Sequence, residues 1–363
     1  MKKRKNSGHI YDDAVTVENM YKMWRIVRRT CKNRRELAVF GLNLYSNLSK
    51  ICYELNNRAY VPGKYRTFLI FEPKPRLVMS QSVRDKLVNH FVANFYLLPY
   101  LERELIDSNV ATRTGYGTSY AMSKLKGYFD SILAGKPGAR IYALKVDVSK
   151  YFYTIDHGIL MKKLRRKILD PDVIGLIETI ISETDKTYIN RSIERYNKRC
   201  QTDIPPYVPG RGLSIGAMTS QFLAIYYLND LDHKIKEHYH CRYYIRYMDD
   251  FLILSTDKNE LRMLTAQIAK ELGKLKLVVN PKSRIYNCND GFVFLGYRYQ
   301  VRKETLHIDC CPKTVRRIRR HLQDLAKTDL AAYYRSTASY GGYFKYGDIN
   351  RVLRPEPAMP KCE

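Results

Sequence analysis

The segment from Arg242 to Ser255, RYYIRYMDDFLILS, constrains the fold more than any other part of the sequence. Two runs of β-branched and aromatic residues, 243–247 and 251–254, flank a short polar break. This pattern predicts a β-hairpin with two adjacent carboxylates, Asp249 and Asp250, at its tip. An Asp-Asp pair alone is usually a turn. Adjacent carboxylates at a rigid tip repel each other unless a cation lies there, and Mg²⁺ prefers such oxygen ligands.

A third carboxylate occurs upstream, at the end of another apolar run. Residues 141–148, IYALKVDV, are predicted to form a buried strand that ends in Asp147. A carboxylate at the end of a buried strand is costly unless it has a partner. The divalent ion inferred for the hairpin tip would be that partner. Phe152 follows five residues later on a tight turn, and Asp156-His157 is predicted to cap the next helix.

The charge of the chain indicates a polyanionic partner. The 363 residues contain 63 Lys and Arg against 36 Asp and Glu, a net charge of +27, and 31 tyrosines are interleaved with the basic residues. This suits a groove that follows a phosphate backbone, with rings on which bases stack. A predicted amphipathic helix over 312–326 can lay its charges along a duplex. Its basic residues are Lys313, Arg316, Arg317, Arg319 and Arg320.

Two cations occur on a stiffened turn upstream of the strand predicted over 141–148. Residues 67–71 are predicted to form a strand, and Pro73 and Pro75 restrict the backbone that follows. Lys74 and Arg76 are therefore presented from a rigid tip. Fixed cations suit a triphosphate, Arg through bidentate contacts and Lys as a point charge.

The remaining elements predict an α+β protein. Helices are expected over 16–33, 34–57, 82–96, 159–200 and 257–276, and a single strand over 292–299. A loop over 212–221 leads into an apolar helix over 222–231, and the simplest interpretation of its end is an ordinary helix N-terminus with Thr219 or Ser220 as the cap. The order of elements suggests that Asp147 and the Asp249-Asp250 tip meet on one sheet.

The cysteines and the hydropathy of the sequence limit the cellular compartment and the kind of site that we expect. The eight cysteines include no Cys-x-x-Cys pair, which disfavours structural zinc and suits reduced thiols in the cytosol. The sequence has no run of about 18 apolar residues, so no membrane span and a cytoplasmic location are expected.

Five motifs occur in the order found in reverse transcriptases, which the chain resembles from about residue 60 to 299. They are Asp147 with Phe152, the 216–221 loop, Tyr247-Met-Asp-Asp250, Asn280-Pro-Lys282 and Phe294-Leu-Gly-Tyr297. The resemblance implies a right-hand polymerase fold. It implies an N-terminal helical extension (1–60), fingers (61–140 and 157–210), palm (141–156 and 211–300) and a short thumb with a tail (301–363).

The resemblance also implies functional residues and ligands. The catalytic residues would be Asp147, Asp249 and Asp250, and these with Val148 would hold two Mg²⁺ ions, with Mn²⁺ as a substitute. The nucleotide-binding residues would be Lys74, Arg76, Phe152, Ile215, Gln221 and Lys282, with Phe152 as the steric gate against a ribose 2′-OH. The implied partners are template RNA, an RNA/cDNA duplex and dNTPs.

The subtype is indicated by the segment Ile215–Gln221, IGAMTSQ, where many reverse transcriptases have Gln-Gly at its start. This segment resembles the reverse transcriptases of diversity-generating retroelements, as do Asp107-Ser108, Gly115-Tyr-Gly117 and Ser339–Lys345. That family is error-prone, is encoded by bacteria or phages, and works with a small basic accessory protein and a structured RNA. Looser matches at 88–90 and 343–345 leave open a phage-defence reverse transcriptase. The non-enzymatic alternative is an RNA-binding protein that has a polymerase fold but no catalytic activity. A second enzymatic alternative, an RNA-dependent RNA polymerase, is disfavoured by Phe152.

Overall fold

Helices and short antiparallel strands alternate along the chain in the computed structural model, which describes residues 10–71 and 74–344. The helices are α1 (Ile10–Ala14), α2 (Val17–Thr30), α3 (Arg34–Leu42), α4 (Leu44–Asn56), α5 (Val83–Phe91), α6 (Leu98–Leu101), α7 (Thr118–Gly135), α8 (Tyr151–Thr154), α9 (His157–Arg165), α10 (Pro171–Ile181), α11 (Thr187–Cys200), α12 (Met218–Tyr227), α13 (Asn229–His233), α14 (Lys258–Lys274), α15 (Pro312–Thr328) and α16 (Leu330–Phe344). The strands are β1 (Arg66–Ile70), β2 (Arg76–Ser80), β3 (Tyr142–Val146), β4 (Tyr244–Tyr247), β5 (Asp250–Ser255), β6 (Arg284–Asn287), β7 (Phe292–Phe294), β8 (Tyr297–Arg302) and β9 (Thr305–Cys310).

The described strands form three sheets. Strands β1 and β2 make a hairpin in which Arg66 pairs with Ser80, and β7-β8-β9 make a three-stranded sheet. The sheet that carries the predicted carboxylates has the order β4-β5-β3-β6, and β3 is antiparallel to β6. The mixed helix-and-sheet class with antiparallel sheets is therefore confirmed.

The chain divides into two compact units. The first comprises the segment that ends at Gly117, together with Val146–Phe251 and Thr265–Lys282. The second comprises Thr118–Lys145, Leu252–Leu264 and the segment that begins at Ser283. The division into extension, fingers, palm and thumb stays a prediction.

In the first unit, the β1–β2 hairpin packs on α11 through alternate, inward-facing residues. The shared core comprises Tyr65, Leu77, Met79, Ile189, Ile193, Ile204 and Tyr207. Strand alternation explains the burial of Leu77 and Met79, because side chains two residues apart lie on the same face. Arg76, at the start of β2, remains exposed.

In the second unit, the predicted amphipathic helix is confirmed as α15. Its apolar stripe packs against α16, with Ile318 and Leu322 buried beside Tyr333 and Phe344. The opposite stripe is exposed and carries all five of the predicted basic residues, Lys313, Arg316, Arg317, Arg319 and Arg320. The sequence of the last dozen residues predicts a frayed end, and these residues lie outside the described ones.

Two predicted long helices are interrupted. The helix expected over 34–57 divides into α3 and α4 at Asn43, whose φ of −119° and ψ of 44° are not helical. The region 159–200 divides into α9, α10 and α11. Asp170 caps α10 and Pro171 begins it, because proline lacks the amide that a continuing helix needs. Apolar periodicity continued across both breaks, so it did not reveal them.

The strand expected over 292–299 is instead a hairpin. Leu295 and Gly296 form the turn between β7 and β8 with φ angles of 49° and 87°. Two consecutive positive φ values fit a tight two-residue hairpin connection. The sequence signal was the Leu-Gly pair inside an otherwise uninterrupted aromatic run.

Among the described residues, no helix combines the length and the apolar character that crossing a membrane requires. No disulfide joins any of the seven cysteines in this part of the chain.

Candidate active site

The predicted hairpin around the two adjacent carboxylates is confirmed. Tyr244, Ile245 and Arg246 of β4 are buried, and β5 begins at Asp250. Met248 turns the chain with a φ of 56°. Asp249 and Asp250 are both half-buried. Apolar flanks thus anchor a short polar tip that presents two carboxylates from a restrained backbone.

Asp147 leaves the end of β3 and is held by the Asn280-Pro-Lys segment. The Asn280 side-chain amide Nδ2 donates to Asp147 Oδ2 at 2.6 Å, and the Asn280 backbone N–H donates to the Asp147 carbonyl at 2.8 Å. The next residue, Val148, forms a β-bridge with Val279. Val148 has no ligand atom in its side chain, so only its carbonyl oxygen could serve a metal ion.

The pKa of the Asp249 carboxyl reflects its burial and the charges around it. Burial raises the pKa of the Asp249 carboxyl to about 6, and its own backbone N–H opposes that rise. The negative charges of Asp147 and Asp250 raise the pKa further, and the Arg76 cation lowers it. Carboxylates from two separate chain segments therefore lie within electrostatic reach of Asp249, with one predicted phosphate-binding cation beside them.

This donor set has the chemistry of a hard-cation site. Mg²⁺ takes oxygen ligands and binds through one or two carboxylates plus substrate phosphates. In the described part of the chain, no group of three His, Cys, Asp or Glu side chains is arranged to hold a metal ion by itself. A substrate phosphate would supply the remaining oxygens. The roles of Asp147, Val148, Asp249 and Asp250 as metal ligands stay predictions.

The predicted nucleotide-binding cations differ in their position relative to the carboxylates. Arg76 lies at the start of β2, and its positive charge lowers the pKa of Asp249. Lys74 is exposed in the loop between β1 and β2, and Lys282 is exposed after Asn280, whose side-chain oxygen accepts from the Lys282 N–H at 3.0 Å. The structure therefore brings Arg76 to the carboxylates, whereas the roles of Lys74 and Lys282 remain predictions.

Phe152 lies on α8, the single helical turn that follows Asp147. The turn begins after Lys150, which has a φ of 50°. The Phe152 side chain is half-buried and meets Tyr151 edge to face at 5.9 Å between ring centroids. Its carbonyl accepts from the Leu213 N–H at 2.7 Å. These contacts tie the predicted gate to the loop that carries Ile215.

That loop is joined to the β1–β2 hairpin. The Met79 N–H donates to the Ile215 carbonyl at 2.9 Å. Gly216 has a φ of 119°, and a Cβ there would lie 3.3 Å from the Met79 carbonyl oxygen. Glycine is needed for both the backbone angle and the close approach. The backbone at the half-buried Ile215 is thereby fixed in place.

The expected helix cap at Thr219 or Ser220 is wrong. Helix α12 begins after Ala217, which makes no side-chain capping bond. Thr219 instead donates to Asn89 Oδ1, and the Ser220 hydroxyl lies 3.0 Å from that of Ser214. Both hydroxyls are buried and serve tertiary contacts. Gln221 is half-buried in the first turns of α12, and its role as a nucleotide contact stays a prediction.

One functional candidate was missed by the sequence analysis. Arg246 is completely buried within β4 and pairs with Asp232, which is also completely buried. The available signal was a lone arginine inside an apolar strand run, two residues before the turn. The carboxylate partner could not be identified from sequence, because Asp232 lies on a different element.

Comparisons with known proteins agree with the motifs. The profile of the family described as "Reverse transcriptase (RNA-dependent DNA polymerase)" matches residues 72–299. Protein YkfC of Escherichia coli strain K12 is 27% identical over 191 residues, which cover 43% of this chain and 46% of YkfC. The chain thus matches less than half the length of this curated relative.

Two solved telomerase structures are similar to this chain at a lower level. One, from Candida albicans with a fragment of telomeric RNA, has a TM-score of 0.48 and 14% identity, covering 81% of this chain and 57% of that one. The other, an apo telomerase from Candida tropicalis truncated from its C-terminal domain, has the same TM-score and identity, covering 68% and 55%.

Proposed function

The chain belongs to the reverse transcriptase family, and we propose on that premise that it is an RNA-directed DNA polymerase. The observation that carries the proposal is the electrostatic coupling of Asp249 to Asp147, Asp250 and Arg76. A carboxyl whose pKa is raised by two neighbouring carboxylates is suited to bind a divalent cation, and an adjacent guanidinium is suited to a triphosphate.

Asp147, Asp249 and Asp250, with the Val148 carbonyl, would hold the divalent ions. Two bound ions would activate the primer 3′-OH and stabilise the leaving pyrophosphate. The contribution of the chain is to fix the carboxylates from two directions. Asn280 holds Asp147 through a hydrogen bond, and β4 and β5 hold the Asp249-Asp250 tip.

The nucleotide would lie between these carboxylates and the β1–β2 hairpin. Arg76 neutralises charge that develops on the phosphates, with Lys74 and Lys282 as further cations. Phe152 packs against the sugar and fills the space that a 2′-OH would need. Ile215 and Gln221 border the base pair. The bond from Met79 to Ile215 supports this arrangement, because it joins the hairpin to the loop.

A basic cavity in the first unit offers a path for the unpaired template RNA. Its volume is about 1070 Å³, and its wall includes Gly216 of the nucleotide loop and the exposed ring of Phe68. Cations along a groove attract the phosphate backbone, and an exposed ring stacks on a base. The basic residues of the wall are Lys32, Arg35, Lys64, Arg66 and Lys86. The product duplex would contact the exposed basic stripe of α15.

Within the family, we assign the chain to the error-prone enzymes of diversity-generating retroelements. The segment Ile215–Gln221 supports this assignment, because Ile replaces the Gln of many reverse transcriptases. Such an enzyme would work in the cytoplasm of a bacterium, with a structured RNA and a small basic accessory protein. A phage-defence enzyme is the alternative, and the neighbouring genes distinguish the two: a template repeat with a variable-protein gene, or a defence cassette.

The decisive experiment measures Mg²⁺-dependent incorporation of dNTPs on a primed RNA, with Asp249→Asn as the blank. We expect incorporation by the wild-type chain that stops with the variant or without the metal. RNA binding without incorporation would favour a non-catalytic RNA-binding protein. Preferred incorporation of rNTPs would indicate an RNA-dependent RNA polymerase.

A further inference from the structure

Arg246 is the largest completely buried side chain of the described structure and lies directly before the catalytic hairpin tip. Its neighbours along β4 are Ile245 and Tyr247. A buried guanidinium is tolerated only when it is paired and its N–H groups are hydrogen-bonded. The Arg246 guanidinium must therefore make contacts that an apolar side chain at this position of β4 could not make.

One side of the guanidinium is held by a carboxylate. Arg246 Nε donates to Asp232 Oδ1 at 2.6 Å, and Arg246 Nη2 donates to the other oxygen, Oδ2. The Tyr244 hydroxyl also donates to Asp232 Oδ1, at 2.6 Å. This two-pronged contact fixes both the position and the plane of the guanidinium. Asp232 belongs to α13, so the pair connects that helix to β4.

The other side of the guanidinium reaches the hairpin tip. Arg246 Nη1 donates to the Met248 carbonyl at 2.6 Å, and Nη2 donates to the Ile225 carbonyl at 2.9 Å. Met248 has a φ of 56°, which is unfavourable for a residue with a Cβ. Such a conformation persists only where the surroundings hold it. The Met248 carbonyl belongs to the peptide group whose nitrogen is that of Asp249.

The strand itself is fixed by a neighbouring loop. The Arg246 N–H donates to the Ser108 carbonyl at 2.8 Å, and the Val110 N–H donates to the Arg246 carbonyl at 3.0 Å. These two bonds hold the backbone of Arg246 in place independently of its side chain. Loss of the guanidinium would consequently act on the tip more than on the path of β4.

We propose that Arg246 is a positioning residue for polymerisation. Clamped by Asp232, it holds the Met248 carbonyl and thereby sets the place at which Asp249 meets the divalent ion. The inference rests on the proposed function for the role of that ion. It predicts a defect in metal binding that is separable from loss of stability.

The test is the equilibrium binding of Mn²⁺ to the full chain, measured from the electron paramagnetic resonance signal of free Mn²⁺. The first variant combines Arg246→Met, Asp232→Leu and Tyr244→Phe, so that no buried charge is left unpaired. Replacing a buried ion pair by apolar residues is often tolerated by the fold. Residues that orient metal ligands typically contribute about 10–100-fold to metal affinity, and we expect a loss in that range with a melting temperature near that of the wild type.

A second variant, Arg246→Lys, guards against misfolding of the first. Lysine keeps the charge opposite Asp232 but lacks the fork that reaches both Asp232 and the Met248 carbonyl. We expect weaker Mn²⁺ binding here too, and a lower kcat with an unchanged KM for dNTP. Lys163→Met with Asp230→Asn is the matched control. It removes an ion pair of the same unit, with a 2.9 Å N–O distance, and should leave Mn²⁺ affinity unchanged.

Wild-type Mn²⁺ affinity in either folded Arg246 variant would overturn the inference. The inference also fails if both Arg246 variants are unfolded at the assay temperature and lose Mn²⁺ affinity for that reason. The role of Arg246 is then structural. The proposed function fails by a different result, namely a wild-type chain that binds Mn²⁺ but incorporates no dNTP. Asp249→Asn shows which part of the Mn²⁺ binding belongs to this site.

Discussion

The Asn280 side-chain amide donates to the Asp147 carboxylate at 2.6 Å across 133 residues of sequence. The Asn280 backbone N–H adds a second bond, to the Asp147 carbonyl. The side-chain bond restricts the rotation of the Asp147 carboxylate. Asn280 therefore orients a predicted metal ligand without being one.

For Asn280→Ala we expect a large loss of activity with a modest loss of stability. A hydrogen bond to a charged group contributes about 1.5–3 kcal/mol, and loss of a residue that orients a metal ligand typically costs about 10–100-fold in activity. Single-turnover incorporation and thermal unfolding measure the two effects. Asn289→Ala, at an exposed asparagine of the second unit, is the control. Full activity of Asn280→Ala would show that Asp147 needs no such partner.

Asp250→Ala should abolish polymerisation while leaving the fold and RNA binding nearly intact. Asp250 is half-buried at the start of β5, where its charge raises the pKa of Asp249. Primer extension and RNA affinity measure the two properties, with exposed Asp290→Ala as the control. The assignment would be wrong if the variant retained about a tenth of wild-type incorporation, because loss of a metal ligand removes more than that.

Phe152→Ala should admit ribonucleotides. The half-buried ring lies on the turn after Asp147, and its removal opens space where the sugar is proposed to lie. Competitive incorporation of rNTPs against dNTPs measures the change. Tyr153→Leu alters the neighbouring ring, which packs on Tyr207, and should leave the ratio unchanged. A gate elsewhere would be indicated by an unchanged ratio in Phe152→Ala.

Replacing the five basic residues of the exposed α15 stripe by Gln should weaken template–primer binding on all sequences. The log–log dependence of affinity on salt should fall by roughly 0.7–0.9 for each phosphate contact removed. The control replaces four exposed basic residues of α14 by Gln, Lys258, Arg262, Lys270 and Lys274. A lower affinity with an unchanged salt slope would mean that α15 contributes packing and not charge.

Ile215→Gln should lower the error rate opposite template adenine. A glutamine at this position can hydrogen-bond near the nucleotide, and one neutral hydrogen bond contributes about 0.5–1.5 kcal/mol, up to roughly tenfold in discrimination. The backbone bond from Met79 to Ile215 is retained in the variant. Deep sequencing of cDNA from one defined RNA measures the effect, with Ile215→Leu as the apolar control. An active Ile215→Gln enzyme with unchanged errors at adenine would refute the role of Ile215.

The local elements were predicted correctly where one segment contains its own signal. The β4–β5 hairpin combined two apolar runs with a polar break, and α15 separated its apolar and basic residues by helical period. The Asp156 cap of α9 is also confirmed, with Asp156 Oδ1 accepting from the Ile159 N–H at 3.0 Å. Errors arose where a turn interrupts continuous apolar periodicity, as at Asn43 and Leu295-Gly296.

The sequence by itself determined the family, the residues with the required chemistry and the elements that carry them. Periodicity, turn residues and ordered motifs are properties of neighbouring positions, so they can be identified without coordinates. The tertiary structure alone decided which partners these residues have. Arg246 pairs with Asp232, Asn280 with Asp147, and Thr219 with Asn89 instead of capping its helix. Buried polar groups must find partners wherever packing brings donors and acceptors together, and that choice depends on contacts between segments far apart in the chain.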